Sequence, residues 1–138
     1  HDWFSKCLAY SMSKMGMSQC VIGMSNELKT KGIAVNALWP HSIIATDAVG
    51  NILGGPEALS HCRKPEIMAD ACAAILEKKA SNFTGRFCID DILLFEEGMR
   101  DFSQYRVDAT KTLWGDLFIP DDIDEVEPII AMNWASKI

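Results

Sequence analysis

Tyr10 and Lys14 are the two side chains of this sequence best suited to moving a proton. They stand four residues apart in the stretch YSMSK, residues 10–14, a spacing that places both on one face of a helix. A tyrosine hydroxyl has a pKa of roughly 10, and a nearby ammonium lowers that pKa by favouring the phenolate. The couple could then exchange a proton with an alcohol or carbonyl oxygen. Pairs at this spacing are also commonplace on helix surfaces, so the couple needs its context.

The segment 9–31 is predicted to be the helix that carries this couple. Good helix formers dominate it, and Gly32, following two nearby lysines, marks its end. Apolar residues recur at helical spacing and are expected to face the core. They are Met17, Val21, Met24 and Leu28.

Two short apolar runs are predicted to be parallel strands. The first, IAVNALWP at 33–40, is apolar on both faces and ends in proline; the second is NFTGRFCID at 82–90. A helix predicted over 65–79 lies between them and can serve as the crossover that parallel neighbours need. The order helix, strand, helix, strand predicts half of a doubly wound α/β layout. The inward face of the crossover helix is predicted to be Ile67, Ala71, Ala74 and Ile75.

The order of these motifs resembles the C-terminal half of the short-chain dehydrogenase/reductase family. The motifs are YSMSK, then AVNALWP, then a loop with Ile44 and Thr46, then FTGRFCID. The resemblance covers residues 1–100 and implies an α/β, partial Rossmann-like (doubly wound) fold, C-terminal half only. Residues 101–138 are then an irregular, acidic C-terminal extension.

The resemblance also implies a role for each matching residue. Tyr10 would be the general acid/base at the reacting oxygen of an alcohol or carbonyl substrate, with lipid-like molecules among the candidates. Lys14 would lower the pKa of Tyr10 and hydrogen-bond the ribose of the cofactor, NAD or NADP. Pro40 would begin the cofactor loop, the backbone of Ile44 would meet the nicotinamide carboxamide, and Thr46 would lie near the amide or pyrophosphate.

The loop after Pro40 departs from the family pattern. His41 stands where the family usually has glycine, and one extra residue precedes Thr46, so the register of Ile44 and Thr46 is not fixed by the resemblance. His41 is interpreted as a solvent-exposed loop residue, because loop tips favour polar residues. The alternative for His41 is a contact to substrate or phosphate.

Two parts of the family's machinery have no match in this sequence. No G-x-G-x-x-G turn is present, and the family's catalytic serine would lie upstream of His1. We therefore expect a C-terminal fragment that is inactive alone and binds NAD(P) weakly. The alternative function is a non-catalytic interaction module, because in this family the tyrosine-bearing helix packs against its counterpart in a second subunit. A homo-oligomer through the helix of Tyr10 is expected in either case.

Composition narrows the remaining classes of function. A net charge of -6 and a pI of about 4.9 disfavour binding to nucleic acid or to an anionic membrane surface. No apolar run approaches the roughly 18 residues that span a bilayer. Five cysteines without a C-x-x-C spacing favour neither a disulfide framework nor a metal site. The terminal Ser136-Lys137-Ile138 resembles the peroxisomal address S-K-L; cytoplasmic and mitochondrial locations are the alternatives.

Overall fold

The helix that carries Tyr10 and Lys14 is the longest element of the structure. The computed structural model describes residues 4–5, 7–120, 123 and 126–130. Helix α1 runs Leu8–Leu28, continues as a 3₁₀ turn at Lys29–Lys31 and stops at Gly32. Gly32 has a φ of 70°, a left-handed conformation that glycine adopts without the steric cost of a side chain. The predicted helix and its stop signal are confirmed.

The buried face of α1 differs from the predicted stripe. Val21 is buried, but Met17 and Met24 are 56% and 44% exposed. The other buried positions of the helix are Ser11 and Ser25. Helical spacing fixes which residues share a face, but burial also needs an element that covers the face, and the described residues cover only part of this one.

The two predicted strands form a parallel pair. Strand β1 is Ala37–Trp39 and strand β2 is Phe87–Ile89, with Leu38 opposite Cys88. Asn36 ties the start of β1 to its neighbour, because its side chain donates to the carbonyl of Phe83 at 3.1 Å and accepts from the amide of Arg86 at 3.0 Å. The core therefore begins with a two-stranded fragment of a parallel α/β sheet.

Among the described residues, three further helices follow β1 along the chain. They are α2 at Gly55–Ser60, α3 at Glu66–Leu76 and α4 at Asp90–Glu96, and a π-helical turn at Val49–Leu53 precedes α2. Helix α3 is the crossover. Its predicted inward face is confirmed: Ile67 and Ala71 are buried, and Ala74 and Ile75 pack against the same core.

The described residues after 100 pack onto the loop that follows β1. They form a 3₁₀ turn at Ser103–Tyr105 and two short parallel strands, β3 at Leu113–Trp114 and β4 at Ile129–Ile130. The amide of Ile43 donates to the carbonyl of Trp114 at 2.9 Å. The described part of this extension is otherwise irregular, and its contacts bring it beside the carboxyl end of β1, where ligands bind in open α/β sheets.

Within the described residues, no helix combines the length and the apolar character needed to cross a bilayer.

Candidate active site at Tyr10 and Lys14

A cavity of about 380 Å³ lies between α1, β1 and the turn after β3. Tyr10 and Lys14 line it from α1, and Pro40 lines it from the end of β1. Three of the five predicted site residues are therefore brought together. The apolar part of the lining comes from all three elements and comprises Met17, Val21, Ala37, Leu38, Trp39, Pro40, Leu117 and Phe118.

The helical spacing of Tyr10 and Lys14 sets their contact. The Nζ atom of Lys14 lies 5.4 Å from the centroid of the Tyr10 ring, within the range of a cation–π interaction. Among the described residues, no carboxylate lies within 4 Å of this ammonium in an ion pair. Its N–H groups are therefore available to a substrate or a sugar hydroxyl in the cavity.

The pKa of Tyr10 is raised above its ordinary value of 10 in this structure. Partial burial is the main cause, and the nearby carboxylate of Asp116 and the thiol of Cys7 add to it, because burial and negative charge both disfavour the phenolate. The lowering of this pKa that we expected from Lys14 alone does not prevail. The described surroundings hold the hydroxyl in its protonated form, the form that donates a proton to a carbonyl oxygen.

Ile44 and Thr46 lie outside the lining of this cavity. Ile44 forms a bridge with Arg63 in which the amide of Ala45 donates to the carbonyl of Arg63 at 2.8 Å, so the amide of Ile44 itself faces away from Arg63. Thr46 is exposed, and its hydroxyl accepts from the amide of Val49 at 3.4 Å. Thr46 thus caps the helical segment after it, and the cofactor contacts of both residues stay predictions.

His41 is buried, so its interpretation as an exposed loop residue is wrong. Only 5% of it is exposed, and its Nδ1 atom lies 2.9 Å from Oδ1 of Asp91. Asp91 also accepts from Arg63 at 2.7 Å, and Arg63 in turn contacts Glu127 at 2.7 Å. No sequence pattern indicates this partnership, because the bonded residues lie 28 to 64 positions apart. Below, His41, Arg63, Asp91 and Glu127 are called the buried charge cluster.

The buried charge cluster fixes the backbone that leaves β1. Burial alone would raise the pKa of Asp91, but the hydrogen bond from His41 and the charge of Arg63 hold that pKa below its ordinary value. The neighbouring Asp90 accepts the backbone N–H of His41 at 2.9 Å. Since Pro40 directly precedes His41, this cluster positions the rim of the Tyr10 cavity.

Asp116 is the residue of the site that sequence reasoning missed. It lines the cavity together with Tyr10 and Lys14, yet it belongs to the extension, which carried no catalytic motif. The only local signal is the Gly115-Asp116 pair after an aromatic residue, which is typical of a turn. Its proximity to Tyr10 arises from the fold and not from sequence spacing.

The chain is similar to dehydrogenases both in sequence and in structure. Hydroxysteroid dehydrogenase-like protein 2 from Danio rerio is 47% identical over 124 residues, which cover 88% of this chain and 29% of that relative. The protein of the same name from Homo sapiens is 45% identical over 119 residues, 86% of this chain and 28% of that relative. No protein-family model matches the chain.

Solved structures agree with this similarity. A short chain dehydrogenase from Mycobacterium thermoresistibile superposes with a TM-score of 0.72 at 41% identity, covering 86% of this chain and 41% of that one. A crystal structure from Xanthomonas campestris gives a TM-score of 0.79 at 43% identity, covering 86% and 43%. The chain is therefore similar in sequence and in fold to one part of these proteins. This part spans less than a third of the length of the curated relatives it matches.

A nicotinamide cofactor fits the described residues at one end only. Lys14 offers free N–H donors at the cavity, as a ribose hydroxyl needs. The glycine-rich segment does not form a phosphate cradle, because the amides of Gly50 and Gly54 are already bonded to the carbonyls of Thr46 and Val49 at 3.0 and 3.2 Å. The described residues could therefore hold the ribose side of a cofactor.

Proposed function

We propose that this chain supplies the proton-handling part of an NAD(P)-dependent oxidoreductase that acts on an alcohol or carbonyl. The observation that carries the proposal is the shared cavity of Tyr10 and Lys14 at the carboxyl end of β1, in a chain with the fold of a short chain dehydrogenase. The bound cofactor would supply or accept the hydride. Tyr10 would pass the proton at the substrate oxygen, and Lys14 would hold a ribose hydroxyl and stabilise negative charge on Tyr10.

The lining of the cavity favours a substrate with an apolar body. Eight of its residues are apolar, and the two charged ones are Lys14 and Asp116. Apolar walls with a few placed polar groups are the usual composition of a small-molecule site. An alcohol or ketone on a hydrocarbon skeleton, lipid-like molecules included, meets both requirements.

Replacing Tyr10 with phenylalanine tests this proposal in the full-length protein carrying this segment. We expect Tyr10→Phe to lower kcat by about 100-fold or more, the usual contribution of a general acid/base, while the Kd for the cofactor changes little. Tyr105→Phe is the matched control, because Tyr105 is the other tyrosine of the chain and its hydroxyl bonds Asp70 at 2.6 Å, outside the cavity lining. An unchanged kcat in Tyr10→Phe would contradict the proposal.

A second candidate function is that of an interaction module, which the exposed face of α1 favours. Leu8, Met12, Met17 and Ile22 are all more than half exposed, and large exposed apolar patches mark association sites. The chain would then pair through α1 with a second copy. Analytical ultracentrifugation and a turnover assay separate the two candidates. A stable dimer that the Met12→Glu substitution dissociates, together with an absence of turnover, would favour the interaction module.

The peroxisomal location is a further proposal that rests on Ser136-Lys137-Ile138. These residues lie outside the described part of the chain. A fluorescent protein that ends in the last dozen residues is expected to collect in peroxisomes, because a receptor reads this type of address at the free C-terminus. A diffuse signal that does not change when the three residues are deleted would contradict the address.

A further inference from the structure

Asp116 lines the same cavity as the predicted catalytic couple, but it belongs to the extension and not to α1. It lines the cavity with Tyr10 and Lys14, whereas it stands in the turn after β3. Its side chain has no ion pair within 4 Å among the described residues. A carboxylate without a paired cation thus borders a mainly apolar cavity.

The backbone around Asp116 is held in place by several elements. The amide of Asp116 donates to the carbonyl of His41 at 2.9 Å, and the amide of Gly115 donates to the carbonyl of Ile130 at 2.9 Å. The Leu117 amide donates to Oδ1 of Asp116 at 2.5 Å. Phe118 has a φ of 65°, a conformation that costs free energy for a bulky residue and persists only where its surroundings enforce it. The carboxylate therefore has a fixed position.

The charge of Asp116 reaches both members of the couple. It contributes to the raised pKa of Tyr10. Burial, opposed in part by the hydrogen bond from Leu117, raises the pKa of Asp116 itself to about 6; Asp90 adds to the rise, and the charge of Lys14 opposes it. Above pH 7 the carboxylate is ionised, so it balances the charge of Lys14 and leaves the cavity nearly neutral.

We propose that Asp116 is a specificity-determining residue that makes this cavity accept neutral substrates and reject those with an anionic group near the reacting carbon. The proposal rests on the proposed function for the identity of the reacting group. A neutral hydroxyl can donate a hydrogen bond to the carboxylate, whereas a second anion meets a fixed like charge in surroundings of low polarity. Removing the carboxylate would leave Lys14 as the only charged side chain of the described lining and reverse the preference.

The test uses two aromatic probes of similar size, benzyl alcohol and benzenesulfonate, titrated into the protein at pH 8 and followed by NMR chemical shifts. The sulfonate stays anionic from pH 5 to pH 8. Wild-type protein is expected to bind benzyl alcohol more tightly. Asp116→Asn is expected to shift the ratio of the two Kd values about tenfold toward the sulfonate, a Coulomb effect at an intermediate effective dielectric constant. Asn retains an oxygen that can accept from Leu117, so the turn is conserved.

Two variants and one pH change complete the test. Asp116→Glu keeps the charge and should keep the wild-type ratio. Asp108→Asn makes the same chemical change at a partly exposed residue outside the lining and should also keep the wild-type ratio. At pH 5 the wild-type ratio should approach that of Asp116→Asn. The other charged or titratable groups near Asp116 are unchanged in Asp116→Asn. The change of the Kd ratio with pH in that variant therefore measures their effect, and it is subtracted from the change in wild-type protein. They are Tyr10, Lys14, His41, Cys62 and Asp90.

Equal ratios in wild-type protein and Asp116→Asn, or binding of neither probe, would overturn the proposal. Because these measurements need neither cofactor nor turnover, they are separate from the test of Tyr10. A protein that shows the charge preference but no turnover would contradict the proposed function and leave the role of Asp116 in ligand choice supported.

Discussion

The buried charge cluster and helix α1 differ in how fully the rest of the chain buries them. The cluster joins His41, Arg63, Asp91 and Glu127 through ion pairs of 2.7 to 2.9 Å, and the Arg63 and Asp91 side chains are fully buried. Helix α1 carries the predicted catalytic couple, yet only three of its 21 residues are buried. The part of the molecule that holds the site's rim is therefore tightly built, and the part that carries its chemistry is loosely covered.

This difference indicates where the chain depends on other surfaces. A helix in a globular protein is stabilised mainly by packing of its apolar face, and much of that face on α1 is exposed. In the cluster, by contrast, the Arg63 guanidinium is paired with two carboxylates of the same chain, Asp91 and Glu127. Substitutions in the two regions should therefore have different consequences, and three changes measure that difference.

Asp91→Ala should have the largest effect on stability. It removes the carboxylate shared by His41 and Arg63 and leaves the Arg63 guanidinium buried without that partner, so we expect a loss of about 3–5 kcal/mol in the free energy of unfolding. Urea denaturation followed by circular dichroism measures it. Glu77→Ala, at an exposed residue that ends α3, is the control and should stay within about 0.5 kcal/mol. A loss below about 1 kcal/mol in Asp91→Ala would show that the cluster does not hold the fold.

The second change acts on Asp90, a buried carboxylate next to the cluster that lacks a full set of hydrogen bonds. Asp90 is fully buried, and its Oδ2 atom has no hydrogen-bond partner among the described residues. Burial raises its pKa to about 6, against the hydrogen bond from the His41 amide. The folded state thus binds the proton more tightly than the unfolded state, so this group lowers stability as the pH rises from about 4 to 6, and the penalty is complete above pH 6.

Asp90→Asn should remove that penalty. Its stability relative to wild type should rise by about 2 kcal/mol between pH 4 and pH 8, in line with a shift of about two pKa units. Urea denaturation at the two pH values measures the change. The comparison between pH values cancels any cost of the amide itself. A pH profile that stays parallel to wild type would mean that Asp90 does not titrate in this range.

What could be predicted from the sequence follows the range of the interactions concerned. Spacing within one element correctly predicted α1, its stop at Gly32 and the inward face of α3, because propensity, capping and periodicity act over a few residues. These features account for most of the layout.

The rest depended on contacts between distant residues. His41 is buried because Asp91, 50 residues away, accepts a hydrogen bond from its Nδ1 atom. Asp116 joins the cavity because the extension bonds back to His41. Neither residue has a neighbour in sequence that indicates its partner. Met17 and Met24 show the converse, since their periodicity is helical but the described residues do not cover them.

The smallest effects on stability are expected at two glycines, one inside α1 and one at its end. Gly16 lies inside the helix, and an added Cβ would meet nothing within 4 Å, whereas Gly32 has a left-handed φ. Gly16→Ala should stabilise by roughly 0.5–1 kcal/mol, because alanine restricts the unfolded chain and favours the helix. Gly32→Ala should destabilise by about 1 kcal/mol, because a Cβ strains the left-handed stop. Paired denaturation curves measure both.

Opposite signs at these two positions would mean that α1 folds with its described ends even though little of it is buried. A neutral result at both positions would mean that the helix is frayed when the rest of the chain is folded. In that case the Tyr10–Lys14 couple would be aligned only after another surface covers α1, and the looser region of the molecule would depend on its partner for its chemistry as well as its stability.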